Sequence, residues 1–463
     1  MAGISAILQF FQKNILDVIA AFPAITGQLR TVDNLDKIEF LTEGTPDFCF
    51  ATACGTGQNH VAAAALEGIV QALEANKEKI FAANQEDMEQ AEKDGIAAPV
   101  LKRLKFDTGK MQAVTAGIKD LIAMEDPLFQ TKMHRQLDEG LVLYRETCPI
   151  GVIGVIFEAR PDALVQISAL CIKSGNCVIL KGGSEAKKSN RILFEIIQSV
   201  LVKCGLPEHA MLQLEARTEI TELLGCHQWV DLLIPRGSNA FVQYIMNNTK
   251  IPVMGHADGI CHIYVDKEAD IEKAIPIILD AKTQYVSACN TVETLLVHKD
   301  ILDQLMPKLQ EAFKEKQVTM RGSKAIVDMT GCEEATEEDN CTEYLDYIIS
   351  AKEVEDVAEA VGHINRYGSH HTDAIITENS ETAAYFMRMV DSAGVYQNCS
   401  TRFADGYRYG FGAEVGISTS KLHARGPVGL EGLLSYKYKL FGSGQIVEDY
   451  AEGKASFHFK DLE

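Results

Sequence analysis

IGVIGVIFEARPDALVQISALCIKSGNCVILKGGSEAKKSN, residues 150–190, is the stretch on which the fold turns. Its first eight residues, 150–157, are an unbroken apolar run that suits a strand buried on both faces. PDALVQISALCIKSG, 161–175, carries apolar residues at helical spacing, with proline at its start and Gly175 at its close. CVILK, 177–181, is again short and apolar. Strand, helix and strand in one run make a parallel pair joined by a crossover helix. The rhythm then repeats. A helix over 189–204 closes at Gly205, AMLQL follows, a helix lies near 218–226, VDLLIP spans 230–235, a helix starts from Ser238 and a strand covers 261–265. The expected fold class is α/β, with a Rossmann-type parallel sheet. Such a sheet takes ligands at the carboxyl ends of its strands, which directs attention to the loops after 157, 181 and 235. KGGSEAKKSN supplies Lys181, two glycines that permit close backbone approach, and Ser184. RGS at 236–238 opens a helix whose first N–H groups favour a pyrophosphate. No GxGxxG follows any strand, and glycine pairs at strand ends also serve as plain turns.

Further along, YVSACN at 285–290 places Cys289 after a polar loop and before the apolar strand TLLVH at 294–298. A thiol held by a scaffold on one side and open on the other suits a nucleophile, especially where positive charge or a helix N-terminus favours the thiolate. The chain has 12 cysteines, though, and a cysteine is more often a small buried apolar residue. Beyond 300 a second α/β region is expected. It comprises a helix at 301–315, an acidic solvated loop at 332–343, strand YLDYIIS at 344–350, a helix at 354–366, strand DAIIT at 373–377 and a helix at 380–391. The run 398–437 has no helical or strand period but many glycines, hydroxyls and basic groups, as ligand-handling loops do. SYKYKLFG after it reads as an edge strand used in oligomerization.

On the other side, 61–95 is strongly helical, with Leu66, Val70, Leu73 and Ile80 as its buried stripe and Gly95 as its stop. Another helical stretch covers 97–124, and DEGLVLYRETC at 138–148 alternates like an exposed strand or hairpin piece. Residues 1–60 have no assigned role. Leu8, Phe11, Ile15 and Ile19 fall at helical spacing without a positive leader, so the start reads as an amphipathic helix and not a signal peptide.

The 463 residues exceed one hydrophobic core and suggest two or three domains. With 46% hydrophobic and 24% charged residues the composition is that of a soluble globular protein. A formal charge of -21 argues against nucleic-acid and anionic-membrane partners; a small anionic substrate stays open, but needs local arginines and lysines set against the global field. No run reaches the length of a membrane span. The cysteines show no CxxC and no pairing rhythm, as expected of reduced thiols in a cytoplasmic protein.

Together SACNTVETLLVH, the 150–190 block, LLIPRGS, IPVMGHADGICHIYVD, YGSHHTDAIIT and STRFADGYRYGFGAEVGISTSKLHARGPVGLEGLL resemble gamma-glutamyl phosphate reductases, a branch of the aldehyde dehydrogenase superfamily. The resemblance covers about residues 60–445. It implies NADPH-dependent reduction of L-glutamyl 5-phosphate to L-glutamate 5-semialdehyde with release of phosphate, in proline biosynthesis, through a thioester on Cys289. It implies Lys181, Gly183, Ser184, Gly237, Ser238 and Glu343 as cofactor contacts. Serine at 184 leaves room for the 2'-phosphate that distinguishes NADPH from NADH. By residue chemistry, Arg160, Arg402 and Arg425 suit capture of the substrate's anions, with Lys421 and His423 as weaker candidates and Asp405 for its ammonium. Each arginine can equally pin a loop through backbone carbonyls.

Oxidising members of the superfamily carry a water-activating glutamate, which aligns with Gly255 here, and their oxyanion asparagine aligns near Ala159. The Cys289 N–H is then the first oxyanion donor. The other histidines, His370 and His371 among them, read as structural, and no metal site is expected. The implied division is a cofactor domain at 61–137 and 149–262 and a catalytic domain at 263–397. An active-site loop run at 398–433 and a β oligomerization element at 138–148 and 434–463 complete it. A transient encounter with a separate glutamate 5-kinase and a homo-oligomer are implied too. Two readings compete with this one: an oxidising aldehyde dehydrogenase, and a cofactor-binding scaffold for that kinase.

Overall fold

The structure, a computed structural model of the chain, describes residues 58–215, 218–255 and 258–462; the helix expected around Leu8 to Ile19 lies outside them. The chain divides into two compact units. One holds the residues up to Gly237 with Ile245–Val253 and Gly429 onward; the other holds Ser238–Tyr244 and Met254–Val428.

The first unit begins with helices Gln58–Ala75 and Lys77–Lys93, so the strongly helical run expected from 61 to 95 is broken at Asn76. Asn76 turns its own side chain back onto the Ala72 carbonyl at 2.8 Å, the local competition with helix that asparagine offers. The helical stretch expected over 97–124 consists of Ala98–Leu104 and Thr108–Ala123, the second capped by Asp107. Strands β1 (Thr131–Asp138) and β2 (Leu141–Pro149) form a hairpin. Its two-residue turn carries Gly140 at a left-handed φ of 71°.

Next come β3 (Val152–Phe157), β4 (Cys177–Gly182), β5 (Met211–Leu214) and β6 (Leu232–Arg236), a parallel sheet in the order β5-β4-β3-β6. The helix between β3 and β4, Pro161–Ser174, has proline in its first turn and stops at Gly175, whose φ of 70° an L side chain resists. The strands progress from β3 outward through β4 to β5, then cross back to place β6 on the far side of β3. That reversal leaves a crevice at the carboxyl ends of β3 and β6.

The second unit is built on β7 (Cys261–Val265), β8 (Val292–His298), β9 (Thr319–Gly322), β10 (Glu333–Glu334), β11 (Ile348–Val354), β12 (Thr372–Ile376) and β13 (Gly394–Gln397). They pair in parallel in the order β10-β9-β11-β8-β7-β12-β13. Every residue of β7, β8 and β12 is buried, since helices cover both faces. Helices Ile271–Thr283 and Leu302–Glu315 pack on one face around Ile278, Leu305 and Leu309, and Val357–Tyr367 and Ser380–Met389 on the other around Ile364 and Phe386.

The strand expected at 344–350 begins only at Ile348. Tyr344 is drawn away by its hydroxyl, which bonds Asp339 at 2.6 Å. Strands β9 and β13 and helix Lys324–Thr330 were not foreseen, being short and without a repeating apolar period. Within 398–433 the chain forms only single 3₁₀ turns and the small antiparallel pair β14 (Gly416–Ser418) and β15 (Gly426–Val428).

Back in the first unit, β16 (Leu434–Phe441) joins β2 and β17 (Lys460–Asp461) joins β1, giving an antiparallel sheet in the order β16-β2-β1-β17. SYKYKLFG is therefore an edge, and Tyr436, Tyr438, Leu440 and Phe441 are exposed along it.

Candidate active site

In the first unit the loops at the carboxyl ends of β3, β4 and β6 hold four of the expected cofactor residues. Lys181 is buried near the end of β4, and its Nζ donates to the Gly182 carbonyl at 2.6 Å. Burial lowers its pKa, opposed by Glu219, Glu185 and Glu215. Gly183 and Ser184 follow, with Ser184 opening a single turn to Ala186. A Cβ on Gly183 would stand 2.1 Å from the Glu185 carboxylate, which would have to move aside. That carboxylate accepts the Ala159 N–H at 2.5 Å and fixes a residue whose φ is 43°. Arg160 comes next, partly exposed at the head of helix Pro161–Ser174. Gly237 directly follows β6. A bare glycine turn, a buried lysine and loops at a strand-order reversal fit the phosphates of a dinucleotide.

In the second unit Cys289 lies between helix Ile271–Thr283 and β8, in a loop fastened at several points. Thr291 Oγ1 donates to the Tyr285 carbonyl at 2.8 Å, Asn290 Nδ2 to the Ala404 carbonyl at 2.8 Å, and Thr401 Oγ1 to the Asn290 carbonyl at 2.7 Å. Cys261, at the start of β7, donates its thiol to the Cys289 carbonyl at 3.3 Å. Burial pushes the Cys261 thiol well up, so it stays protonated as a donor. Gly259 backs directly onto the loop: a Cβ there would fall 2.1 Å from the Cys289 oxygen and 2.4 Å from its Cα.

His371, read from sequence as structural, is fully buried at the amino end of β12, with Nε2 3.2 Å from Cys289 Sγ. Its Nδ1 lies 2.9 Å from Thr372 Oγ1. His370 before it takes a φ of 60° and bonds the Asp391 carbonyl at 2.7 Å, turning the chain so that His371 points inward. The sequence signal was a histidine just ahead of a buried strand, which spacing alone cannot pair with a cysteine 82 positions away.

Arg402 is the substrate candidate nearest in character to the need. It is buried, its Nε donates to Gln284 Oε1 at 2.9 Å, and its charge interacts with Cys289. Burial lowers its pKa, with Arg408 adding to the effect, but a guanidinium remains charged. Arg425 and Lys421 instead both grip Asp391, at 3.1 and 2.5 Å. Asp405 accepts the N–H groups of Tyr407 and Arg408 and so shapes its own turn. His423 is exposed.

Ser238, in this unit, accepts the Val242 N–H at 3.0 Å to open a helix, and Glu343 accepts from Asn239 at 3.3 Å. On either side of the Cys289 loop along the chain, Lys282 and Glu293 form a fully buried pair at 2.5 Å. Burial drives both toward their neutral forms, pushing Glu293 up to about 8 and Lys282 down. Gly255 carries no carboxylate. Among the described residues no group of three or more metal-ligating side chains occurs, and no helix is long and apolar enough to cross a membrane.

Residues 60–352 match the aldehyde dehydrogenase family. Gamma-glutamyl phosphate reductase of Acetivibrio thermocellus is 57% identical over 393 residues, 85% of this chain and 91% of that protein. Gamma-glutamyl phosphate reductase 1 of Synechocystis sp. is 57% identical over 399 residues, 86% of this chain and 92% of that one. The crystal structure of gamma-glutamyl phosphate reductase from Thermotoga maritima superposes with a TM-score of 0.81 at 36% identity, covering 84% of this chain and 94% of that one. An acetylating aldehyde dehydrogenase from Geobacillus thermoglucosidasius shares the fold at 15% identity and a TM-score of 0.60, over 95% of this chain and 98% of that one.

Proposed function

The chain belongs to the aldehyde dehydrogenase family, and within it to the gamma-glutamyl phosphate reductases, and from that membership we propose that it is the NADPH-dependent reductase of L-glutamyl 5-phosphate in proline biosynthesis. The single observation that carries the chemistry is Cys289, partly exposed in a fastened loop with His371 beside it and the charge of Arg402 acting on it.

Cys289 Sγ attacks the acyl phosphate carbon. The carbonyl oxygen, now anionic, is met by the Cys289 N–H, and phosphate leaves to give a thioester. NADPH, when bound, supplies the hydride that reduces this thioester. Collapse of the resulting thiohemiacetal frees the semialdehyde and restores the thiolate. With glycine at 255, no carboxylate stands at the position from which oxidising relatives activate water, and this favours reduction of the thioester over its hydrolysis. Lys181, Gly183, Ser184, Gly237, Ser238 and Glu343 would hold the cofactor, with Ser184 leaving room for a 2'-phosphate. Arg402 is the first choice for a substrate anion, with Arg160 second. Arg425, Asp405 and His423 follow, the first two already engaged within their own loops. The reading extends to a separate glutamate 5-kinase as the source of substrate, a cytoplasmic setting, and a homo-oligomer formed through the exposed aromatic edge of β16.

The test is the reverse reaction. Semialdehyde, phosphate and NADP should yield NADPH absorbance, with no turnover when phosphate is omitted and less with NAD. Phosphate-independent turnover would mean that water reaches the thioester and that the protein is an oxidising dehydrogenase.

A further inference from the structure

The helix that leads into the nucleophile's loop ends at Thr283, and the loop runs on to Cys289 and β8. A helix presents its negative partial charge at that end, so the backbone gives a thiolate here no help from a helix N-terminus. Stabilisation has to come from side chains. Cys261 from β7 is held as a neutral thiol by burial, with Asp373 and Glu293 acting on it in the same sense. Arg402 brings one positive charge, shared with Asp405 and Asp280 and opposed by Arg408. His371 brings an imidazole nitrogen to 3.2 Å from the sulfur itself.

The imidazole is built into place. His371 is wholly buried, Thr372 Oγ1 sits 2.9 Å from Nδ1, and Cys261 Sγ lies 3.9 Å from the same nitrogen. The next residue on the strand, Asp373, is locked separately: it accepts the His262 N–H at 2.7 Å and Nδ1 at 2.9 Å and is also bonded by Ser392. A histidine needed only to fill space would not require a nitrogen aimed at the one sulfur that the loop presents.

We propose that His371 is the acid–base partner of Cys289, taking the thiol proton to form a thiolate–imidazolium pair and delivering that proton to the departing phosphate. This deepens the reductase reading and rests on it. The step balances: the S–H bond breaks as Nε2–H forms, the S–C bond forms as the C–O bond to phosphate breaks, and the Nε2 proton passes to the phosphate oxygen. Cys–SH and acyl phosphate become thioester and hydrogen phosphate, with no oxidant or reductant involved. Hydride reduction and collapse later return the thiolate, and one solvent proton on His371 restores the pair.

The test uses neither cofactor nor acyl phosphate. Carboxamidomethylation of Cys289 by iodoacetamide is followed across pH by mass analysis of its peptide, in the full chain and in His371→Gln, which keeps an amide for hydrogen bonding but cannot titrate. The wild-type rate should stay near its plateau well below the ordinary thiol range. The variant's rate should fall about tenfold per pH unit below roughly 8.5, leaving it at least about tenfold behind at pH 6.5. Arg402 is retained in the variant, so the difference isolates the imidazole. Superimposable normalised profiles would overturn the proposal.

Should the variant not fold, the ultraviolet thiolate absorbance of wild type minus Cys289→Ser is titrated instead. A single ordinary thiol ionisation there would overturn it equally. A displaced profile together with a failed reverse reaction would keep the pair and remove the substrate assignment. An ordinary profile with phosphate-dependent turnover would do the opposite.

Discussion

The two parallel sheets use opposite ends. In the four-stranded sheet Lys181, Gly183, Ser184 and Gly237 lie at or just after the carboxyl ends of strands, whereas in the seven-stranded sheet Gly259, Cys289 and His371 all come just before strands. The difference follows from helix direction. In a strand–helix–strand unit the helix N-terminus stands over the carboxyl end of the sheet and attracts phosphates through its N–H groups. The opposite end faces helix C-termini, which repel anions. An anionic sulfur placed there depends on side chains brought from elsewhere in the chain. In the proposed reading one end therefore meets charge with backbone N–H groups and Lys181, the other with Arg402 and His371.

The sharpest way to break the comparison is at Gly259. Gly259→Ala would drive a methyl into the Cys289 backbone, 2.1 Å from its oxygen, and backbone cannot swing aside as a side chain does. Turnover should fall about a hundredfold through displacement of the sulfur, with a stability cost of about 1–3 kcal/mol in urea unfolding. Wild-type turnover would show that the loop tolerates retreat and that its fastening is incidental. At the other end, Lys181→Met should raise the KM for the dinucleotide about tenfold, while the rate of Cys289 alkylation stays unchanged. A shift in alkylation would mean that the two ends are not chemically independent.

The smallest effect concerns acid. His363, buried on helix Val357–Tyr367 with its ring 5.5 Å from that of His262, has its pKa pulled down to about 3 by burial, and by His262 next. Below about 6.5 the unfolded chain takes up a proton that the folded chain refuses. Stability is thus fully present above that pH and is lost as the pH falls toward 3, by about 1 kcal/mol between pH 6.5 and 5.5. His363→Gln should flatten that decline in urea unfolding at the two pH values. An unchanged slope would assign the acid sensitivity to other groups.

The opposite ends also explain what was legible in the sequence. Residues 150–190 announce strand, helix and strand because Pro161 and Gly175 mark the helix boundaries and the strands are apolar throughout. The loop after β4 could be found because it follows the strand that locates it. Cys289 stood out through its setting between a polar loop and an apolar strand. His371 did not, because its role depends on pairing β12 beside β7 and β7 beside β8, a register that no local pattern encodes. The same holds for Gly259, an ordinary loop glycine until the Cys289 backbone is laid against it. Arg425 looked as good as Arg402 in sequence; only the fold gives Asp391 to the one and brings the charge of the other to act on Cys289.

The fastening of the nucleophile's loop has a temporal side. Cys289 and Asn290 are held by partners 28, 82 and 114 positions away along the chain, the last of them Ala404. Contacts of such separation close late in folding. Under the proposed pairing the sulfur remains an ordinary thiol on the ribosome until β12 has been made, and it gains its reactivity only as β12 docks beside β7. The alkylation rate of Cys289 at low pH is thereby a clock, marking the moment at which the seven-stranded sheet is complete.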